Sequence, residues 1–195
     1  MIGISLGPGD PELMTIKAAA TLKNCTKVFV PGEMAAKLVR PYCQPEILQF
    51  PMIENREELE KIWNKNADTV AQAAAAGPAG FACIGDVNTF STFSHLERVI
   101  RQNHPQIKIQ TIPGVGIVPC LASRFAAPLE RSFEVSDGSP VESVIRLKAT
   151  RPGSWQKNYA AEALRSSCWE QCSARPRRES SEMRCRRKAT TFPSF

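Results

Sequence analysis

The sequence lacks any long apolar run. Although 43% of its 195 residues are hydrophobic, no stretch approaches the roughly 18 consecutive apolar residues that a membrane-spanning helix needs. A strand pattern begins almost at the first residue, so no secretory leader is expected. The seven cysteines have irregular spacing that does not suggest a disulfide framework. These absences favour a cytoplasmic protein, and they predict buried, unpaired thiols among the apolar neighbours of Cys25, Cys43, Cys83 and Cys120.

Histidine is also scarce. His95 and His104 are the only two, and neither has a potential metal ligand at a suitable spacing. Near the C-terminus, Cys168, Cys172 and Cys185 lack a fourth ligand at zinc spacing. We therefore expect no metal site. No Ser–His–Asp arrangement is apparent either, so the catalytic residues are unknown from the sequence.

Most of the chain has no excess of positive or negative charge. Residues 1–150 carry 15 Lys and Arg against 15 Asp and Glu, whereas residues 151–195 carry 10 against 4. The net charge of +6 therefore lies entirely in the last part of the sequence. A basic nucleic-acid-binding protein remains an alternative from a different functional class, but it depends wholly on that tail. We expect no nucleic-acid or membrane partner for the rest.

Segments with strand character alternate with amphipathic segments over the first 125 residues. Strands are predicted at 2–6, 27–30, 47–50, 80–84 and 108–112, and helices at 15–23, 33–40, 56–76, 93–103 and 115–125. This alternation is typical of an α/β fold with an open, mainly parallel sheet. It predicts an N-terminal α/β domain over residues 1–112.

The pattern changes after Pro128. Two further strands are predicted at 133–135 and 144–148, which would begin a second, smaller α/β domain over residues 113–152. From residue 153 the Arg/Ser/Cys-rich sequence shows no strand alternation, although residues 160–169 could form one helix. Residues 153–195 are therefore predicted to be an atypical basic tail, either disordered or translated in a shifted reading frame, and the second domain to be incomplete.

Glycine-rich loops follow three of the predicted strands. They begin at Gly7, Gly85 and Pro113, and because the carboxyl ends of parallel strands share one edge, we expect them to lie together. The first loop lacks the third glycine of a dinucleotide fingerprint and the Gly-Lys-Ser/Thr of a phosphate loop. The second supplies Asp86, which could accept a hydrogen bond from a ribose hydroxyl or a ligand ammonium. Each loop also has an alternative explanation that involves no ligand: a tight turn for the first, helix capping by Ser91 or Thr92 for the second, and helix initiation for the third.

The three loops, in this order, resemble the tetrapyrrole methylase family. Residues 7–18 match the family's opening Gly-Pro-Gly-Asp-Pro-Glu-Leu-x-Thr-x-Lys-Ala, Gly85-Asp86-Val87 its Gly-Asp-Pro loop, and Pro113-Gly114-Val115 its helix entry. Residues 28–32, 90–93 and 144–152 are most like the branch that methylates C20 of precorrin-2 or cobalt-factor II in cobalamin biosynthesis. The resemblance covers about residues 1–152. Val87 stands where the family usually has proline, and Phe90 where this branch often has tyrosine.

The resemblance implies S-adenosyl-L-methionine as cofactor, a tetrapyrrole substrate and a homodimer. It also implies the residues that contact the cofactor: Pro8, Gly85, Asp86, Val87, Thr89, Gly116, Ile117 and Leu147, with Ser91 and Thr92 as neighbouring candidates. Substrate carboxylates could pair with Lys37, Arg40 or Arg124. Because the methyl sulfonium is itself electrophilic, positioning can supply much of the rate and no base is named. An incomplete second domain would impair activity, and another tetrapyrrole or the diphthamide precursor remains an alternative substrate.

Overall fold

The computed structural model describes residues 1–51, 53, 55–130, 133–136, 138 and 139. Met1–Phe133 forms one compact unit, and Glu134–Phe195 is a separate unit of which only five residues are described. The predicted strand at 144–148, Leu147 and the predicted tail at 153–195 lie outside the described residues. The predicted domain boundaries at 112 and 152 therefore stay predictions.

Five strands and five helices alternate in the first unit. The strands are β1 (Ile2–Ser5), β2 (Lys27–Val30), β3 (Glu46–Ile47), β4 (Ala79–Cys83) and β5 (Gln110–Ile112). The helices are α1 (Ile16–Asn24), α2 (Glu33–Val39), α3 (Arg56–Ala76), α4 (Thr92–Asn103) and α5 (Ile117–Arg124). Each was predicted from the sequence, with ends displaced by at most a few residues. The sequence did not predict the 3₁₀ turn at Pro11–Leu13.

The strands form one sheet in the order β3-β2-β4-β1-β5, and every neighbouring pair is parallel. In β1, which lies between β4 and β5, Ile2 is opposite Gly80 on one side and Gln110 on the other. The chain leaves β1 toward β2 and leaves β4 toward β5, so these two connections run in opposite directions. Such a reversal opens a crevice at the carboxyl ends of the strands, where α/β proteins bind ligands.

Each face of the sheet is covered by its own pair of helices. One hydrophobic cluster joins α1 and α2 to the sheet through Leu22 and Val39, and the other joins α3 and α4 through Val70 and Phe93. Side chains at the helix starts satisfy free backbone N–H groups: Thr15 caps α1 and Asn55 caps α3. Helices α1 and α3 therefore begin where a polar capping residue precedes an amphipathic segment, and their apolar sides lie on the sheet.

Two expectations from the sequence need correction. Residues 133–135 do not form a strand, because within the described part of the chain they have no neighbouring strand to complete a ladder. Of the four cysteines expected to be buried, only Cys83 is, whereas Cys25, Cys43 and Cys120 are half-buried. Cys83 ends the central strand β4, and Cys25 lies at the rim of the core as the residue that ends α1.

Candidate active site

The loops that follow β1 and β4 are joined directly by their backbones. The Gly7 N–H donates to the Gly85 carbonyl at 3.3 Å, and the Gly85 N–H donates to the Gly7 carbonyl at 2.6 Å. Gly7 has φ 77° and Gly85 has φ 80°, a left-handed conformation that glycine adopts without steric cost. This reciprocal bridge fixes the two loops side by side at the edge of the sheet.

Asp86 fastens the second loop to the third. Its Oδ2 accepts a hydrogen bond from the Gly114 N–H at 2.8 Å, and its Oδ1 accepts one from the Asn88 N–H at 2.9 Å. The first of these bonds crosses from the end of β4 to the end of β5. The structure thus brings together all three loops that the sequence placed at one edge, and it gives Asp86 an internal role that the sequence did not reveal.

Ser5 is the site residue that sequence reasoning missed. It is completely buried at the end of β1, where its Oγ accepts a hydrogen bond from the Val87 N–H at 3.0 Å and donates one to Asp86 Oδ2 at 3.3 Å. A lone hydroxyl in an apolar strand was the available signal, because a buried polar group needs a partner. Ser5 therefore links the end of β1 to the Asp86 loop through two hydrogen bonds.

The glycines of the three loops differ in how closely other atoms pack against them. A Cβ on Gly114 would lie 2.4 Å from the Ser5 Cβ, so this loop packs directly on β1. Among the described residues, no atom lies within 4 Å of where a Cβ on Gly9, Gly85 or Gly116 would stand. The space beside these three glycines, of which Gly9 is exposed and the other two are half-buried, could therefore admit a nucleoside-like group.

Two predicted cofactor residues of the second loop have internal contacts of their own. The Val87 side chain is buried in the cluster that joins α3 and α4, and its N–H is the group that donates to Ser5 Oγ. The Thr89 N–H donates to the Asp86 carbonyl at 3.2 Å and its side chain is exposed. Pro8, between the two glycines of the first loop, is half-buried.

The remaining predicted residues lie at helix starts. Ser91 Oγ accepts a hydrogen bond from the Phe93 N–H at 3.1 Å and caps α4, as the plain alternative predicted, and Thr92 is the first residue of that helix. Gly116 precedes α5 without a side-chain cap, and the first residue of α5, Ile117, is 56% exposed. Leu147 lies outside the described residues.

Arg40 is already paired within the fold. Its guanidinium makes two hydrogen bonds to the Glu33 carboxylate, at 2.5 and 2.9 Å, and these bonds lower the pKa of Glu33. This pairing argues against Arg40 as a partner for substrate carboxylates. Lys37 and Arg124 are exposed on α2 and α5.

His95, His104 and Cys83 are each involved in contacts or burial within the fold. His95 stacks on Trp63 with ring centroids 4.6 Å apart, and burial, with Arg98 nearby, lowers its pKa. His104 Nε2 lies 2.7 Å from Asp68 Oδ1. Burial raises the pKa of Cys83 to about 11, so its thiol is protonated at neutral pH. Among the residues that the structure describes, no three His, Cys, Asp or Glu side chains come together as metal ligands.

Comparison with protein families decides the identity of this fold. Residues 1–166 match the family described as Tetrapyrrole (Corrin/Porphyrin) Methylases. The chain belongs to this methylase family. The match extends past residue 152, where the sequence motifs of the family end. The predicted family and α/β fold class are thereby confirmed.

Two curated relatives of this chain are named as C20-methyltransferases of cobalt-precorrin-2. A probable cobalt-precorrin-2 C(20)-methyltransferase of Methanocaldococcus jannaschii is 29% identical over 141 residues, covering 68% of this chain and 60% of the relative. A cobalt-precorrin-2 C(20)-methyltransferase of Salmonella typhimurium is 31% identical over 140 residues, covering 66% of this chain and 58% of the relative. The chain thus spans about 60% of the length of these relatives.

Solved structures show the same fold. The methyltransferase CobJ superposes with a TM-score of 0.54 at 19% identity, over 82% of this chain and 62% of that one. A putative cobalamin synthesis related protein (CobF) from Corynebacterium diphtheriae gives 0.56 at 17% identity, over 73% and 62%. Within the described residues, no helix of this chain has the length and apolar character to cross a membrane.

Proposed function

We propose that this chain transfers a methyl group from S-adenosyl-L-methionine to C20 of precorrin-2 or cobalt-factor II in cobalamin biosynthesis. The names of the relatives support the substrate class. The observation that carries the proposal is the set of three hydrogen-bonded loops at the reversal point of the sheet, with open space beside Gly85 and Gly116. This arrangement suits a small ligand held by backbone groups.

The residues of the chain would bind and orient the cofactor. Bound S-adenosylmethionine supplies an electrophilic methyl sulfonium, toward which the electron-rich macrocycle carbon is the nucleophile. Asp86 Oδ1 accepts only the Asn88 N–H among the described hydrogen bonds, so it retains capacity to accept a ribose hydroxyl. Because Ser5 and Gly114 hold the same carboxylate, its position is fixed before the ligand arrives, and fixed positioning can supply much of the rate.

The finer parts of the proposal follow from family membership. We propose a cytoplasmic homodimer. The proposed cofactor contacts are Pro8, Gly85, Asp86, Val87, Thr89, Ser91, Thr92, Gly116, Ile117 and Leu147. We also propose that residues 153–195 derive from a shifted reading frame and weaken activity. Resequencing the locus would test this, since a confirmed frame encoding a strand-rich segment would contradict it.

Isothermal titration with S-adenosylhomocysteine tests the cofactor site. We expect the chain to bind it, and we expect Asp86→Asn to bind it about tenfold more weakly through loss of a charged hydrogen-bond acceptor. Asp68→Asn, on α3, is the matched control and should bind like the original chain. Absence of binding by the unchanged protein would refute the cofactor assignment.

Incubation with S-adenosylmethionine and cobalt-factor II tests the substrate. Absorbance changes and a mass gain of one methyl group are expected for cobalt-factor II. If the chain binds S-adenosylhomocysteine but methylates uroporphyrinogen or another tetrapyrrole instead, the fold and cofactor assignments stand and the proposed substrate is wrong.

A further inference from the structure

Phe90 has an unusual backbone for a residue with a large side chain. Its φ is 47°, in the left-handed region where the Cβ of any residue except glycine crowds the backbone. It lies in the loop between β4 and α4, four positions after Asp86. A strained residue beside a candidate site is a reason to ask what the strain achieves.

The loop around Phe90 is anchored on both sides. On one side Asp86 is held by Gly114 and Asn88, and the Val87 N–H by Ser5. On the other side Ser91 caps α4. Since both ends of the loop are fixed, the position of Phe90 follows from the fold.

The aromatic ring of Phe90 contributes little to the packing of the fold. The residue is 69% exposed, so its hydrophobic surface remains in water, and glycine would suit its backbone better. The neighbouring loops show a similar exposure: Leu13, in the turn after β1, is 40% exposed, and Ile117, after β5, is 56% exposed. The first two loops, and the first residue of the helix after the third, therefore each present a large apolar side chain to solvent.

We infer that Phe90 is a specificity-determining residue that packs on a pyrrole ring of the substrate, with Leu13 and Ile117 on the adjoining loops as its apolar neighbours. This inference rests on the proposed function, because a tetrapyrrole supplies flat, apolar rings that an aromatic side chain can cover. The exposed surface of Phe90 leaves water only when substrate binds, so its contribution belongs to substrate affinity and not to folding.

Phe90→Gly separates the two roles, because it removes the ring and also relieves the left-handed strain. We expect its melting temperature to equal that of the unchanged chain or exceed it by about 2–4 °C. We expect cobalt-factor II to bind about tenfold more weakly, since a stacked aromatic ring and its buried area are lost. S-adenosylhomocysteine should bind within about twofold of the original affinity, and Phe90→Tyr, which keeps the ring, should restore cobalt-factor II binding.

Phe125→Ala is the matched control. Phe125 is the same residue type and is 71% exposed, but it ends α5 with an ordinary φ of −95°, so we expect no change in cobalt-factor II binding. If Phe90→Gly binds cobalt-factor II as the unchanged chain does, or if its melting temperature falls, the inference about Phe90 is wrong while the proposed function stands. If the unchanged chain binds neither ligand, the proposed function itself fails, and the inference with it.

Discussion

At the scale of single residues, the candidate site depends on two small residues in contact, Ser5 and Gly114. Ser5 supplies a buried hydroxyl that holds both Val87 and Asp86. Because Gly114 has no side chain, the third loop approaches β1 closely enough for the Gly114 N–H to reach Asp86. Neither residue is a typical ligand-binding residue. Together, however, they fix the position of the Asp86 carboxylate, which is the proposed ligand-binding group.

Gly114→Ala should destabilise the fold by about 1–3 kcal/mol, because the added Cβ would lie 2.4 Å from the Ser5 Cβ, which cannot rotate away. Gly116→Ala in the same loop is the control: its Cβ would meet nothing within 4 Å, so its free energy of unfolding should change much less. Urea unfolding of the two variants measures both. Equal stabilities for the pair would contradict the close packing of the third loop on β1.

Ser5→Ala should cost about 1–3 kcal/mol, because it leaves the buried Val87 N–H without an acceptor. Ser94→Ala is the matched control, since Ser94 makes its hydrogen bond in an exposed position on α4. Thermal unfolding followed by circular dichroism gives the difference. A Ser5→Ala protein as stable as the Ser94→Ala protein would show that another group satisfies the Val87 N–H.

At the scale of elements, the sequence predicted the helices and strands well because their signals are local. Thr15 and Asn55 precede amphipathic segments, and the predicted helices begin beside these caps. The prediction of a strand at 133–135 was wrong because a strand forms only beside a pairing strand, and the local sequence pattern carries no information about that partner. The hydrogen bonds of the site also join residues far apart in sequence, such as Ser5 and Val87. Local reasoning could place the loops at one edge, but it could not reveal what fastens them.

The packing of α3 against α4 predicts a dependence of stability on pH. His95 on α4 stacks on Trp63 of α3, and burial lowers its pKa below the ordinary value of 6.5. The unfolded chain therefore takes up this proton at higher pH than the folded chain, so the free energy of unfolding should decrease as pH falls below 6.5. His95→Gln should reduce that decrease. A histidine titration by NMR that gives His95 a pKa above 6.5 would contradict the burial argument.

At the scale of the whole molecule, both hydrophobic clusters lie within the unit formed by Met1–Phe133. One cluster covers each face of the sheet, and β5 contributes Ile112 to the cluster shared with α1 and α2. The three loops of the candidate site belong to this same unit. Its folding and the geometry of its loops therefore rest on a single sheet, to which β5, among the described strands, is paired through β1 alone.

A chain shortened to residues 1–133 should consequently unfold in one cooperative transition, because it keeps the five strands and both clusters. A chain shortened to residues 1–104 should not, since it loses β5, its ladder to β1 and the buried Ile112. Urea titration followed by circular dichroism compares them. If the 1–133 chain unfolds gradually, then residues after 133 stabilise the sheet. If the 1–104 chain unfolds as cooperatively as the longer one, β5 contributes little to the core, and the third loop of the site would be anchored mainly by Asp86.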